Sequence, residues 1–180
     1  MRIIGVDPGN AVTGYGVVER TSAPLYIAAG AIRNQKIGRG PRRLAALYDG
    51  LIEVIDKYTP DVMSLERNFV ATNVQSAFTL GEARAIAMLA AAHRNLNVFE
   101  YTPTDVKLTI AGYGRADKRQ VEQMVRRTLT LDDAPLIHDA TDALAIALCH
   151  AFREGLGNAV RAAETREAEL RRKPLRAVRS

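Results

Sequence analysis

Residues 2–9 read Arg-Ile-Ile-Gly-Val-Asp-Pro-Gly, an apolar run that stops on an acid and a Pro-Gly turn. That pattern predicts a buried strand ending at Asp7. Two further strand candidates, Gly14–Arg20 and Leu25–Arg33, follow across short connections, and three strands joined this way favour an antiparallel meander. After Pro41 the period changes. Leu44, Leu47, Tyr48, Leu51, Val54 and Ile55 recur every three or four residues up to Tyr58, which predicts a helix with proline in its first turn. Asp61–Glu66 reads as the next strand, about Asn73 to Arg94 as an alanine-rich helix, and Asn97–Tyr101 as a short strand. Thr104–Ala111 and Lys118–Thr130 read as helices around Gly112-Tyr113-Gly114, and a last helix is expected from about Asp139 to Arg153. Strands alternating with helices imply parallel crossovers. The predicted fold is α/β: a mixed five-stranded sheet, meander plus parallel strands, with helices on both faces. Gly155-Leu156-Gly157-Asn158 is expected to close one domain, 1–158. A basic tail, 159–180, follows as a helix or a mobile arm.

The chain has 180 residues, of which 47% are hydrophobic and 25% charged. That suits a soluble domain with its own core and excludes disorder throughout, collagen and low-complexity polymers. The longest apolar run, Ala85–Ala92, falls far short of the roughly 20 residues a membrane helix needs, so no membrane partner is expected. The first residues show no secretory cleavage pattern, and Cys149 is the only cysteine, so a reduced, cytoplasmic setting is expected. The net charge is +5, but residues 161–180 hold seven Arg or Lys against three Glu, so the body is nearly neutral. A nucleic-acid argument therefore rests on local clusters. One is Arg33, Lys36, Arg39, Arg42 and Arg43. The other is Lys107, Arg115, Lys118, Arg119, Arg126 and Arg127, against Asp117 and Glu122. Either cluster also reads as an ordinary solvated face.

Four carboxylates carry the chemistry. Asp7 and Glu66 end strands, while Asp139 and Asp142 open the last helix, three residues apart and so on one face. In a sheet with parallel strands such ends gather at one edge. Four acids brought together stay ionised only beside cations. Oxygen-only ligands suit Mg²⁺ or Mn²⁺, and two such ions can drive phosphodiester hydrolysis. Taken singly, each acid has a plain reading: turn chemistry at Asp7, an exposed strand end at Glu66, a near-capping box at Asp139 and Asp142. Their consistent placement at the ends of core elements favours a shared site. His138 is open as a second ligand, a proton carrier or simply a helix-entrance residue. No histidine or cysteine spacing suits zinc.

Ile4-Gly5-Val6-Asp7-Pro8-Gly9-Asn10, then Thr13-Gly14-Tyr15-Gly16, Leu65-Glu66 with Phe69, and Ala140-Thr141-Asp142-Ala143-Leu144-Ala145 resemble the RuvC family of bacterial Holliday-junction resolvases, in order and at the family's spacing over about residues 1–155. The resemblance implies a ribonuclease-H-like fold and a homodimer. It implies a structure-selective endonuclease of homologous recombination and DNA repair, which makes paired nicks in two strands of like polarity at a four-way junction and leaves 5′-phosphate and 3′-hydroxyl ends. It further implies Mg²⁺ or Mn²⁺, two ions per active site, and the branch-migration proteins RuvA and RuvB as partners. Asp7, Glu66, Asp139 and Asp142 fall on the family's catalytic, metal-binding acids. Lys107 and Lys118 align with basic residues near the scissile phosphates, and Phe69 with an aromatic that stacks at the crossover. Arg67, Arg115 and Arg119 are added as DNA contacts beside them.

Helix 73–94 carries Ala77, Leu80, Ala83, Ala87 and Ala91 along one side. That stripe fits either a two-fold helix pairing or packing against the chain's own sheet. Two rival functions share parts of the pattern. An actin-like or sugar-kinase-type phosphotransferase also opens with strand, acid and glycine turn, but needs two such domains. A non-catalytic junction-binding protein would use the basic clusters and Phe69, but has no need of four acids at one sheet edge.

Overall fold

A computed structural model describes residues 1–9, 11–33, 40–67, 74–131 and 135–172, the stretch 156–172 by its backbone alone. The elements run β1 (Arg2–Asp7), β2 (Val12–Glu19), β3 (Leu25–Arg33), α1 (Pro41–Tyr58), β4 (Val62–Glu66), α2 (Val74–His93), β5 (Asn97–Tyr101), α3 (Pro103–Ala111), α4 (Lys118–Leu129) and α5 (His138–Arg172). The strands form one sheet in the order β3-β2-β1-β4-β5. β1 pairs antiparallel with β2, and β2 antiparallel with β3, while β1–β4 and β4–β5 are parallel. The predicted meander and crossovers are therefore both present.

Side-chain alternation along the strands splits the core in two. Ile4, Val6, Met63 and Leu65 face α1 and α2, with Leu47, Leu51, Val54, Ile55, Ala83, Ala87, Ala90 and Ala91. Ile3 and Val62 face the other way, toward α3, α4 and α5. On this second face α5 lies unusually close. A Cβ built on Gly5 would stand 2.1 Å from the Ala143 carbonyl oxygen, on Gly14 2.0 Å from that of Asp139, and on Gly16 2.7 Å from the Leu144 nitrogen. Gly5 pairs with Gly16, and Gly14 with Asp7. The three glycines thus form a side-chain-free track in which the helix backbone rests on the sheet. Ser64 Oγ, fully buried, fixes the helix to β4 by donating to the Ile146 carbonyl at 2.9 Å.

One expectation needs correction. The last helix does not stop near Arg153 but continues through Gly155 and Gly157 to Arg172. Each helical glycine costs only about 1 kcal/mol relative to alanine. The Ala-, Glu- and Arg-rich sequence beyond is strongly helix-forming and carries the segment on. Of the two readings of the α2 stripe, packing within the chain holds for Ala83, Ala87 and Ala91, which are fully buried in its own core, while Ala77 is exposed and Leu80 half-buried. The large apolar residues that α2 leaves to solvent are Val74, Phe78, Met88 and Leu89. Among the described residues no helix is long and apolar enough to cross a membrane.

Candidate active site

The register places Glu66 beside Asp7. Val6 is opposite Leu65 in the parallel β1–β4 pair, so the next residues on each strand are neighbours at the same sheet edge. Val6 and Leu65 face α1 and α2. By alternation Asp7 and Glu66 therefore face α5. Pairing of the Arg67 amide with the Tyr101 carbonyl at 2.7 Å holds the chain just past Glu66 against β5. The glycine track brings the first turns of α5 over this edge, with Asp139 above Gly14 and Asp142 one turn on.

Three of the acids, Asp7, Glu66 and Asp142, share a cleft of about 300 Å³ with Lys107, Lys118 and the apolar side chains Val106, Val121 and Ile146. Asp139 does not line it but adds to its field. Burial, then repulsion from Glu66, Asp142 and Asp139, pushes the Asp7 carboxyl up to about 7, with Lys118 opposing the rise. A half-buried carboxylate surrounded by carboxylates is a site short of positive charge.

The two lysines come from capped helices. Thr102 and Asp105 form a capping box at the start of α3, and Arg153 Nη2 of α5 donates to Asp105 Oδ1 at 2.7 Å. The helix bearing Lys107 is thereby tied to α5. Asp117 and Gln120 form a second capping box at the start of α4, whose first residue is Lys118. Lys118 Nζ lies 2.6 Å from Asp142 Oδ2. That contact holds the lysine above its ordinary pKa.

The other candidates lie elsewhere. His138 is 77% exposed and turns toward Glu122 Oε2 at 3.4 Å, outside the cleft. Arg67, Arg115 and Arg119 are exposed, and none lines the cleft. Arg126 of the second basic cluster is engaged by Glu122 at 3.1 Å. Within the first cluster, Arg43 is buried and pairs with Glu82 at 3.1 Å, Arg33 and Arg42 are exposed, and Lys36 and Arg39 lie outside the described residues, as does Phe69. Sequence reasoning missed the residues that position the acids: Gly5, Gly14, Gly16 and Ser64. Gly14 and Gly16, two apart in β2, and Gly5 inside the apolar run of β1 were the signal for the glycines; Ser64 carried none.

The donor set fits a hard divalent cation, being all oxygen and overcharged. Among the described residues, however, no three acidic, histidine or cysteine side chains already stand close enough to hold one ion. Lys118 supplies the positive charge instead.

Comparison with known proteins is consistent along almost the whole chain. The family model described as crossover junction endodeoxyribonuclease RuvC matches residues 3–150. A crossover junction endodeoxyribonuclease RuvC from Chloroflexus aggregans is 48% identical over 153 residues, covering 84% of this chain and 93% of that protein. One from Haemophilus influenzae is 46% identical over 170 residues, covering 92% and 88%. Among solved structures, Thermus thermophilus RuvC in complex with a Holliday junction substrate superposes with a TM-score of 0.81 at 31% identity, covering 87% of this chain and 96% of that one. The yeast mitochondrial Holliday junction resolvase Ydc2 shares the fold, with a TM-score of 0.59 at 14% identity.

Proposed function

The chain belongs to the RuvC family of crossover junction endodeoxyribonucleases, and from that premise we propose how its own residues do the work. Asp7, Glu66, Asp139 and Asp142 are the catalytic carboxylates, and they hold two divalent ions, Mg²⁺ or Mn²⁺. The observation that carries this reading is the cleft in which Asp7, Glu66 and Asp142 meet, where burial and then the surrounding acids push the Asp7 carboxyl up to about 7. When bound, the ions supply the Lewis acidity and the activation of water that phosphodiester hydrolysis needs.

The chain's side chains bind, orient and select. Asp7, at the end of the central strand β1, lies beside Glu66 and beneath the first turns of α5. Lys107, in the same cleft, draws the scissile phosphate toward the acids and stabilises charge as the bond breaks. Arg67, Arg115 and Arg119 hold backbone phosphates outside the cleft, and Phe69 stacks on a base at the crossover. His138, paired with Glu122, is left out of the coordination set. The products are a 5′-phosphate and a 3′-hydroxyl.

A four-way junction is nearly two-fold symmetric, and a homodimer presents two clefts to two strands of like polarity. The exposed apolar side of α2, with Phe78 and Leu89, supplies the pairing face. Residues 1–158 form the nuclease domain, and 159–180 are a basic extension. Work at chromosomal junctions in the cytoplasm, alongside the branch-migration proteins RuvA and RuvB, completes the proposal.

The test is strand nicking on a mobile four-way junction with and without Mg²⁺. Nicks should depend on the metal and be lost in Asp7→Asn while junction binding persists. Phe69→Ala should weaken cleavage with folding intact. Cutting by Asp7→Asn at the wild-type rate would overturn the assignment.

A further inference from the structure

Lys118 occupies a place that a phosphate ligand alone does not explain. Its ammonium sits on Asp142 Oδ2 at 2.6 Å, in the cleft that Asp7 and Glu66 also line. Among the described residues it is the cation paired with these acids, whereas Lys107 lines the same cleft without an ion pair. The contact is easily broken. The Lys118 side chain is 64% exposed and rides on a flexible four-carbon stem, whereas its backbone is fixed by the Asp117–Gln120 capping box. Only side-chain torsions need change for the ammonium to leave Asp142. A divalent ion at Asp142 and the lysine compete for the same oxygen, and like charges so close repel.

We propose that Lys118 is an internal counter-cation, seated on Asp142 while the site is free of metal, displaced when a divalent ion binds, and thereby released to meet a phosphate. The proposal rests on the metal-site reading above. It makes one side chain serve both states in turn: the acids are neutralised while the site waits, and the phosphate clamp is armed only once metal is present. A phosphate entering a metal-free cleft would find Lys118 engaged.

The full-length protein without DNA tests this by two measurements. Mn²⁺ titration calorimetry on wild type and Lys118→Met should show roughly two- to fivefold tighter binding in the variant, the range expected for removing an exposed ion pair that competes with the metal. Brief acetylation followed by peptide mass spectrometry should show Lys118 reactivity rising severalfold when saturating Mg²⁺ is added, with Lys107 as the internal reference. Both results together support the proposal. Metal binding with unchanged or weaker affinity in the variant, or with Lys118 reactivity unmoved, overturns it and leaves the metal site standing. No metal binding by either protein removes the metal site and this proposal with it.

Discussion

Replacing Asp7 with asparagine should make the metal-free protein more stable at neutral and alkaline pH. Asp7 titrates near 7 in the fold against 3.8 for the free carboxyl. The folded state therefore binds an extra proton between those values, and stability falls as pH rises through that window. At 1.36 kcal/mol per unit, the three-unit difference amounts to at most about 4 kcal/mol once pH exceeds 7. Roughly 2–3 kcal/mol of that develops between pH 5 and pH 8. Asparagine is nearly isosteric and carries no charge, so it removes the penalty and its pH dependence together. Urea unfolding in the presence of a chelator, at pH 5 and pH 8, measures the effect directly. The variant should exceed wild type most at pH 8 and least at pH 5. Saturating Mg²⁺ should reverse the order at pH 8, since wild type gains binding free energy that the variant lacks. Equal stabilities at pH 8, or the same pH slope in both proteins, would refute the claim that Asp7 is withdrawn from water among other acids at the edge of the sheet.

Other perturbations address the scaffold and the assembly. Gly5→Ala places a Cβ 2.1 Å from the Ala143 carbonyl oxygen, so α5 must shift; a loss of about 1–3 kcal/mol or more in denaturant unfolding is expected, with nicking reduced beyond what the unfolded fraction explains. Ser64→Ala removes the buried hydrogen bond to Ile146 and should cost about 1 kcal/mol by the same assay. Phe78→Asp, at a site 68% exposed, should leave the fold intact and turn a dimer into a monomer in sedimentation velocity; an unchanged sedimentation coefficient would place the two-fold axis elsewhere.

Much of this molecule is legible in its sequence because the signals are local. The run 2–9 and the spacing from Leu44 to Ile55 fix β1 and α1, and the turns that follow leave little freedom for the meander. The four acids could be picked out because each ends or opens a core element, a position at which burial and charge conflict. The end of the last helix was placed near Arg153 rather than Arg172 because helix continuation depends on the summed propensity of the residues beyond, which outweighs two glycines. Ala83, Ala87 and Ala91 show another limit: small side chains permit close packing without saying against what, and here α1 and the sheet claim them. The pairing of Lys118 with Asp142 lay beyond reach, since it depends on how α4 docks against α5, a tertiary relation with no local signature.

The most direct measurement is a crystal of the full chain soaked in Mn²⁺ and examined at the manganese absorption edge. Two anomalous peaks roughly 3.5–4 Å apart, held by Asp7, Glu66, Asp139 and Asp142 and with the Lys118 ammonium drawn away from Asp142, is the result expected. Carboxylates left bare at saturating manganese, with Lys118 still in place, would contradict the account.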